Sequence, residues 1–314
     1  MTVKELEQYL LQSLNMALGS MIQGETSYTN SFTCKVTEEG FYFLPHLPSG
    51  YIIDNDLYQK IFLIASAALY PKFTLLKQNS AYFVPMDTDD IHTQRALFFP
   101  WQRGISERLV ITDLDQFTST LTHQQIPIMK QLTLNYQNIT SIAIAGNSGS
   151  GKSYMLTYLL SVLKPISELI IVDPKFDTPS RWARIHDIAV IHPHQNRSKS
   201  DFLSEINENL SHCLQIIQQR QTILYDDSDY QFEHLTIVID EVLALAEGVN
   251  KAIKDAFFSL LSQIALLGRA TKVHLLLVSQ RFDHQTIPVS VREQLNVLIP
   301  VSYTHLTLPT IYSV

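Results

Sequence analysis

Cysteine is scarce. The 314 residues hold two, Cys34 and Cys213, far apart and without metal-ligand spacing. That pattern excludes a disulfide framework and a thiolate zinc site, and it predicts reduced thiols. Long apolar runs are also missing. The longest, Ile61 to Tyr70, is ten residues; as a helix it spans about 15 Å, half of a ~30 Å hydrocarbon core. The opening Met1-Thr2-Val3-Lys4-Glu5 is no signal peptide, so the expected location is cytoplasmic. There is no basic surplus either. Net charge is −7, with 9 basic and 13 acidic side chains in residues 1–130 and 14 and 17 in 131–314. Bulk electrostatics therefore do not draw nucleic acid, and any such contact must be a local patch. What remains is a chain 46% hydrophobic and 17% charged. It is long enough for one large domain or two ordinary ones with a real core.

Glycine is sparse, ten in all, yet three fall within six residues: Gly146-Asn147-Ser148-Gly149-Ser150-Gly151-Lys152-Ser153. This fits the phosphate-binding P-loop, G-x-x-x-x-G-K-[ST]. Its context fits as well. Ser141 to Ala145 is a short, mostly apolar run ending at the first glycine, and Tyr154 to Leu163 carries apolar residues at helical spacing before Pro165. A strand thus hands over to a helix at the loop. The glycines let the backbone curl so that successive N–H groups, aided by the helix N-terminus, face an anion. Lys152 is expected to reach the β- and γ-phosphates of ATP, and the Ser153 hydroxyl to ligate Mg²⁺.

Downstream, Leu235 to Ile239 is a β-branched run ending in Asp240-Glu241, 88 residues after Lys152. This is the Walker B pattern. Asp240 is expected to hold Mg²⁺ through water or Ser153, and Glu241 to orient and polarise the attacking water. Glu168 to Val172 reads as a buried parallel strand ending in Asp173-Pro174-Lys175, at the edge where open α/β sheets place ligands. Ile188 to Ile191 is a further short strand, followed by His192-Pro193-His194, a surface loop with no third metal ligand nearby. Asp201 to Tyr225 is a long helix. Asn250 to Leu267 is another, closed by Gly268-Arg269-Ala270. Val273 to Arg281 is the next buried strand, and Gln280 stands where a polar sensor would feel the γ-phosphate. Ile287 to Leu295 reads as a short helix and Val297 to Ile299 as a strand.

The N-terminal part carries no chemistry that the sequence names. Thr2-x-x-Glu5 is a capping box ahead of an amphipathic helix over 3–20. Residues 25–53 suggest a hairpin, Asp56 to Tyr70 a helix, and Phe73 to Val84 strands with a turn near Gln78-Asn79. Asp87-Thr88-Asp89-Asp90 lacks the glycine and distal glutamate of a calcium loop and reads as a solvated turn. Leu109-Val110-Ile111 and Ile126-Pro127-Ile128 read as strand pieces. The expected division is an α+β region over 1–125 and a P-loop domain over 126–300. Val301 to Thr310 resembles the translation of a sequencing-library adapter, so 301–314 is set aside as non-native.

Five blocks together, Gly146 to Ser153, Ile171 to Lys175, Ile237 to Glu241, Leu267 to Arg281 and Ile287-Pro288-x-x-x-Arg292, resemble the FtsK/SpoIIIE family of DNA-pumping ATPases. The likeness covers about 125–300 and is strongest to short forms of conjugative elements and phages. It implies a RecA-like P-loop α/β fold with a mainly parallel sheet flanked by helices, and a ring, usually a hexamer, driving double-stranded DNA through its channel. It also implies ATP bound between subunits, with Arg269, or alternatively Arg281, completing a neighbour's site. A relaxase or membrane transfer machinery is an implied partner. The transmembrane helices and winged-helix module of many members are not seen, and the motor domain is expected to be cut short. The alternatives are a non-motor P-loop nucleotide-binding protein, or a ring ATPase acting on protein or RNA.

Overall fold

The computed structural model describes residues 2–18, 31–47, 53–78, 82–105, 107–122, 124–282 and 287–301. The chain forms two compact units that divide between Arg108 and Leu109.

In the first unit, α1 (Val3–Leu18) buries Leu6, Leu10, Leu14 and Leu18, one residue per turn on one face. Its capping box is present: Glu5 Oε2 accepts from the Thr2 N–H at 2.7 Å, and Thr2 Oγ1 from the Glu5 N–H at 3.3 Å. β1 (Phe32–Val36) and β2 (Gly40–Pro45) form the expected antiparallel hairpin. Then come α2 (Asn55–Leu69), capped by Asp54, β3 (Phe73–Leu75), β4 (Phe83–Pro85) and the long β5 (Arg95–Arg103). β3 and β4 do not pair with each other; both pair with β5, which also pairs with β2. The core is aromatic. Phe41, Phe99 and Tyr58 stack in series, and Phe32 stacks on Phe43. The acidic stretch from Asp87 to Asp90 is exposed, and the described residues hold no group of three or more metal-ligating side chains.

The second unit begins with α3 (Leu114–Ser119) and the hairpin of β6 (Gln125–Met129) and β7 (Leu132–Asn135). Leu109 to Ile111, expected as a strand, is not one. Val110 is 82% exposed, and a β-branched run forms no strand without an edge to pair with or a surface to cover. Next come β8 (Ser141–Ala145), α4 (Lys152–Leu163), β9 (Ser167–Val172), α5 (Thr178–Ile185) and β10 (Val190–Ile191). They are followed by α6 (Lys199–Asp226), β11 (His234–Ile239), α7 (Val242–Ala246) and α8 (Lys251–Thr271). β12 (Val273–Ser279), α9 (Val289–Arg292) and β13 (Val297–Pro300) close the unit. The six strands run in the order β10-β9-β11-β12-β8-β13, every pair parallel. Helices cover both faces, so the strands read as continuous apolar runs with a period of two inside them. Ile237, Ile239, Leu275 and Leu277 face α6 and α8, while Val238, Leu276 and Val278 face the layer that holds α4. This is the P-loop α/β fold expected.

Three boundaries differ from expectation. The helix α8 runs through Gly268-Arg269-Ala270 and ends at Lys272, whose φ of 56° makes it the left-handed cap. Gly268 has a different job. A Cβ there would lie 2.1 Å from the Val273 carbonyl oxygen, so the glycine permits the close return of β12 along the helix. The strand β12 stops at Ser279, two residues early, and α9 is a single turn rather than nine residues. Residues 19–20 of the expected first helix, the turn at Asn79 and the tail 302–314 lie outside the described residues. Among the described residues, no helix is long and apolar enough to cross a membrane.

At the amino-terminal edge of the sheet, His234 Nδ1 and His274 Nε2 lie 2.7 Å apart, both rings buried and both against Tyr136. One proton serves the pair. Burial, then the neighbouring charge of His234, pushes His274 from its usual 6.5 to about 3, and burial also lowers His234. The unfolded chain therefore takes up these protons first. Stability from the neutral pair is complete above about 6.5 and is lost as pH falls toward 3, on the order of 4 kcal/mol for His274 alone. Thermal melts across this range should show Tm falling with acid, and His274→Gln should flatten the slope. An equal slope in the variant would show that other groups set it.

Candidate nucleotide-binding site

The site is built where parallel strands end together. Val172 is in register with Ile239, Ile239 with Leu277, and Ser279 with Ala145. The next residues, Asp173, Asp240, Gln280 and Gly146, therefore start the loops at one edge of the sheet. Asp240 is tied to that edge by its N–H, which donates to the Val172 carbonyl at 3.0 Å.

The loop after β8 folds as a phosphate cradle requires. Gly149 and Gly151 have φ of 77° and 100°, the left-handed region that glycine enters freely, and Gly151 caps α4. A Cβ at Gly146 would sit 2.4 Å from both Ser150 Oγ and the Val301 carbonyl oxygen, so the turn has no room for a side chain. Asn147, Ser148 and Gly149 are exposed, whereas Ser150 is buried. Lys152 opens α4, is itself buried, and its Nζ donates to the Gly146 and Asn147 carbonyls at 2.7 and 3.2 Å. Ser153 is exposed at the mouth. Ser148, Gly149, Gly151, Lys152 and Ser153 bound a cleft of about 200 Å³ that Lys175, Asp240 and Glu241 also line.

The acidic wall is crowded. Glu241 is buried and caps α7 with φ of 47°, a left-handed conformation unusual for a residue with a side chain. Its Oε1 lies 2.9 Å from Lys175 Nζ and 4.0 Å from Lys152 Nζ. Burial, then the negative charges of Glu241 and Asp173, raises Asp240 to about 6, against the pull of Lys175 and of the Glu241 N–H. Burial works against the charge of Lys175, but the hydrogen bond to Glu241 and the charges of Glu241, Asp240 and Asp173 outweigh it and hold Lys175 above its ordinary range. A hydroxyl at Ser153 and a carboxylate at Asp240 are hard oxygen donors, and Asp240 carries the strain of an under-compensated negative charge. That donor set suits Mg²⁺, which would neutralise phosphate charge there.

Sequence reasoning quoted Asp173 and Lys175 only as parts of a motif. Asp173 is fully buried. Its Oδ1 accepts from the Lys175 N–H at 3.0 Å, and its Oδ2 accepts from the Asp177 and Ser180 N–H groups and from the Ser180 hydroxyl, at 2.8, 3.2 and 2.6 Å. One carboxylate thus shapes the turn from β9 into α5. The signal available was an acid at a strand end, seven residues before a small polar residue in a helix's first turn. Arg269, on the last turn of α8, is exposed, as are Gln280 and Arg281. None of the three lines the cleft.

No family model matches the chain. It is 23% identical over 176 residues to the FtsK domain-containing protein YdcQ of Bacillus subtilis (strain 168). The match covers 54% of this chain and 35% of that protein, so the chain spans about a third of that relative's length. Among solved structures, the monomer form of the pCW3 conjugation coupling protein TcpA, with ATPγS, matches 94% of this chain and 83% of that one. The TM-score is 0.50 and the identity 15%, a likeness of fold. The FtsK/SpoIIIE-like character read from the motifs is thus borne out, and so is the P-loop fold.

Asp173→Ala should leave four donors without their acceptor in a buried turn. The expected cost is about 2–4 kcal/mol in urea denaturation, with weakened nucleotide binding because the turn carries Lys175. A change under 0.5 kcal/mol would mean that water replaces the carboxylate and that the turn does not depend on it.

Proposed function

Proceeding from an FtsK/SpoIIIE-like chain with a P-loop α/β fold, we propose an ATPase that couples ATP hydrolysis to movement of double-stranded DNA. The observation that carries the chemistry is the meeting of a glycine-built P-loop, a buried Lys152 and the Asp240-Glu241 pair across one cleft. The backbone N–H groups of Gly149 to Ser153 and the Lys152 ammonium receive the phosphates, as in other P-loops. Ser153 and Asp240 hold Mg²⁺. Glu241 aligns water on the γ-phosphate, its buried backbone set by the left-handed cap of α7. TcpA, a conjugation coupling protein of like fold, was solved with ATPγS, which supports nucleotide in this cleft.

The assembly is part of the same reading. Arg269 is exposed and outside the cleft formed by its own chain, which supports a role in trans, completing a neighbour's site in a homo-hexameric ring. Gln280, beside Gly146 in strand register, is the proposed γ-phosphate sensor. DNA is held by sequence-independent backbone contacts, so binding weakens with salt. A relaxase or membrane transfer machinery is the proposed partner, with the chain itself in the cytoplasm. The proposed division of labour keeps this chemistry in the second unit, whose start at Leu109 lies earlier than the expected 126, and leaves 1–108 as a separate α+β region.

Two experiments test this. ATP turnover is measured with and without long duplex DNA at low and moderate salt. Strong stimulation that fades with salt is expected; nucleotide binding without any stimulation by DNA would remove the DNA-motor assignment. Variants test the site. Lys152→Ala should abolish nucleotide binding. Glu241→Gln should bind ATP near normally and lose about 10² or more in turnover, the scale of general-base loss. Normal turnover in Glu241→Gln would take that residue out of the chemistry.

A further inference from the structure

Glu241 does not face the cleft alone. Its buried carboxylate is paired with Lys175, which comes from a different strand end and lies 66 residues away in the chain. A buried carboxylate needs a partner, and Lys175 supplies it at 2.9 Å. The two partners differ in freedom. The Glu241 side chain is 7% exposed on a fixed cap, whereas the Lys175 side chain is 52% exposed at the mouth of the P-loop cleft. The lysine is therefore the member that can move.

The loop that presents it is held with care. Asp173 accepts the N–H of Lys175 on one side and that of Asp177 on the other. Between them Phe176 has φ of 51°, and its ring meets that of His192 at a tilt of 34°, centroids 4.0 Å apart. A bulky residue in the left-handed region is held only where its surroundings over-determine it, and such positions cluster at working sites. The loop so held carries Lys175 on the wall of the cleft, with its ammonium on Glu241. Its ammonium is a compact charge with three donors on a flexible stem, able to exchange one anion for another.

We infer that Lys175 is the movable positioning residue of this site: its ammonium exchanges the Glu241 carboxylate for the terminal phosphate of a bound nucleoside triphosphate, which releases Glu241 to hold water. This rests on the reading of the cleft as an ATP site. The exchange couples the presence of the third phosphate to the availability of Glu241. A diphosphate does not reach Lys175, and the glutamate stays latched.

The test compares ATPγS with ADP by equilibrium binding to the wild type, Lys175→Met and Lys175→Arg, alongside turnover at saturating ATP. Lys175 is half-exposed, so these variants are expected to fold. In Lys175→Met, affinity for ATPγS should fall about tenfold, the scale of one hydrogen bond to a charged group, while ADP affinity stays within about twofold. Turnover at saturation should fall as well, because the terminal phosphate loses the ammonium that offsets its charge. Lys175→Arg should recover most of the lost preference for triphosphate. An unchanged ratio of ATPγS to ADP affinity, an equal loss for both, or unchanged turnover at saturation overturns the inference while leaving the ATP site intact. A wild type that binds neither nucleotide removes the ATP reading itself, and this inference with it.

Discussion

Charge crowding at the sheet's carboxyl edge is the constraint on which the second unit depends. Asp173, Asp240 and Glu241 emerge from adjacent strand ends with little solvent around them, and two ammonium groups, Lys152 and Lys175, answer them. Parallel pairing makes such crowding unavoidable. Strands in register deliver their final residues to one line, so whatever each carries at its last position must coexist. Each carboxylate solves the problem differently. Asp173 spends its lone pairs on backbone and a serine hydroxyl and becomes structural. Glu241 takes an ammonium partner. Asp240 accepts the Glu241 N–H, and burial beside two other carboxylates raises its proton affinity. The structural acid and the two chemical acids are distinguished by their partners, not by their residue type.

Burial of the strands makes this edge rigid. Both faces of β11 and β12 are covered, with apolar residues alternating between two separate cores. Shifting either strand by one residue would exchange those faces and would move Asp240 away from Lys152. Packing thus fixes the position of the chemistry. The glycines do the reverse, placing flexibility where close approach is needed. Gly146 admits the Ser150 side chain and the chain at Val301, and Gly268 admits the start of β12.

The sequence made much of this legible, for identifiable reasons. The P-loop and the Asp240-Glu241 pair were readable because each is local, a strand followed within one residue by its functional group. The central strands were readable because double-sided burial leaves unbroken apolar runs. The misses have physical causes. Gly268 looks like a helix stop because glycine favours both left-handed caps and close contacts, and only the distance to Val273 separates the two. Leu109 to Ile111 has strand propensity but no edge to join. β3 and β4 looked like partners because they are consecutive, yet the long β5 pairs with both. Lys175 was invisible as a partner of Glu241, since a contact across 66 residues leaves no local pattern. Arg269 and Gln280 were placed by motif position alone, and within one chain neither reaches the cleft.

The charge arithmetic also bears on what the cleft can accept. Asp177, Asp240 and Glu241 line the cleft with Lys152 and Lys175, a formal excess of one negative charge. A nucleoside triphosphate adds several more negative charges in a poorly solvated place, where each like-charge pair costs more than it would in water. Two lysines do not offset that sum, and one of them is engaged with Glu241. On the proposed reading, binding at this edge exchanges partners and brings a cation with it. The Asp240 carboxylate, with its raised proton affinity, is where that cation gains most. On this view Asp240 and Lys175 are two answers to one electrostatic deficit, one met by a metal ion and the other by a side chain that can turn.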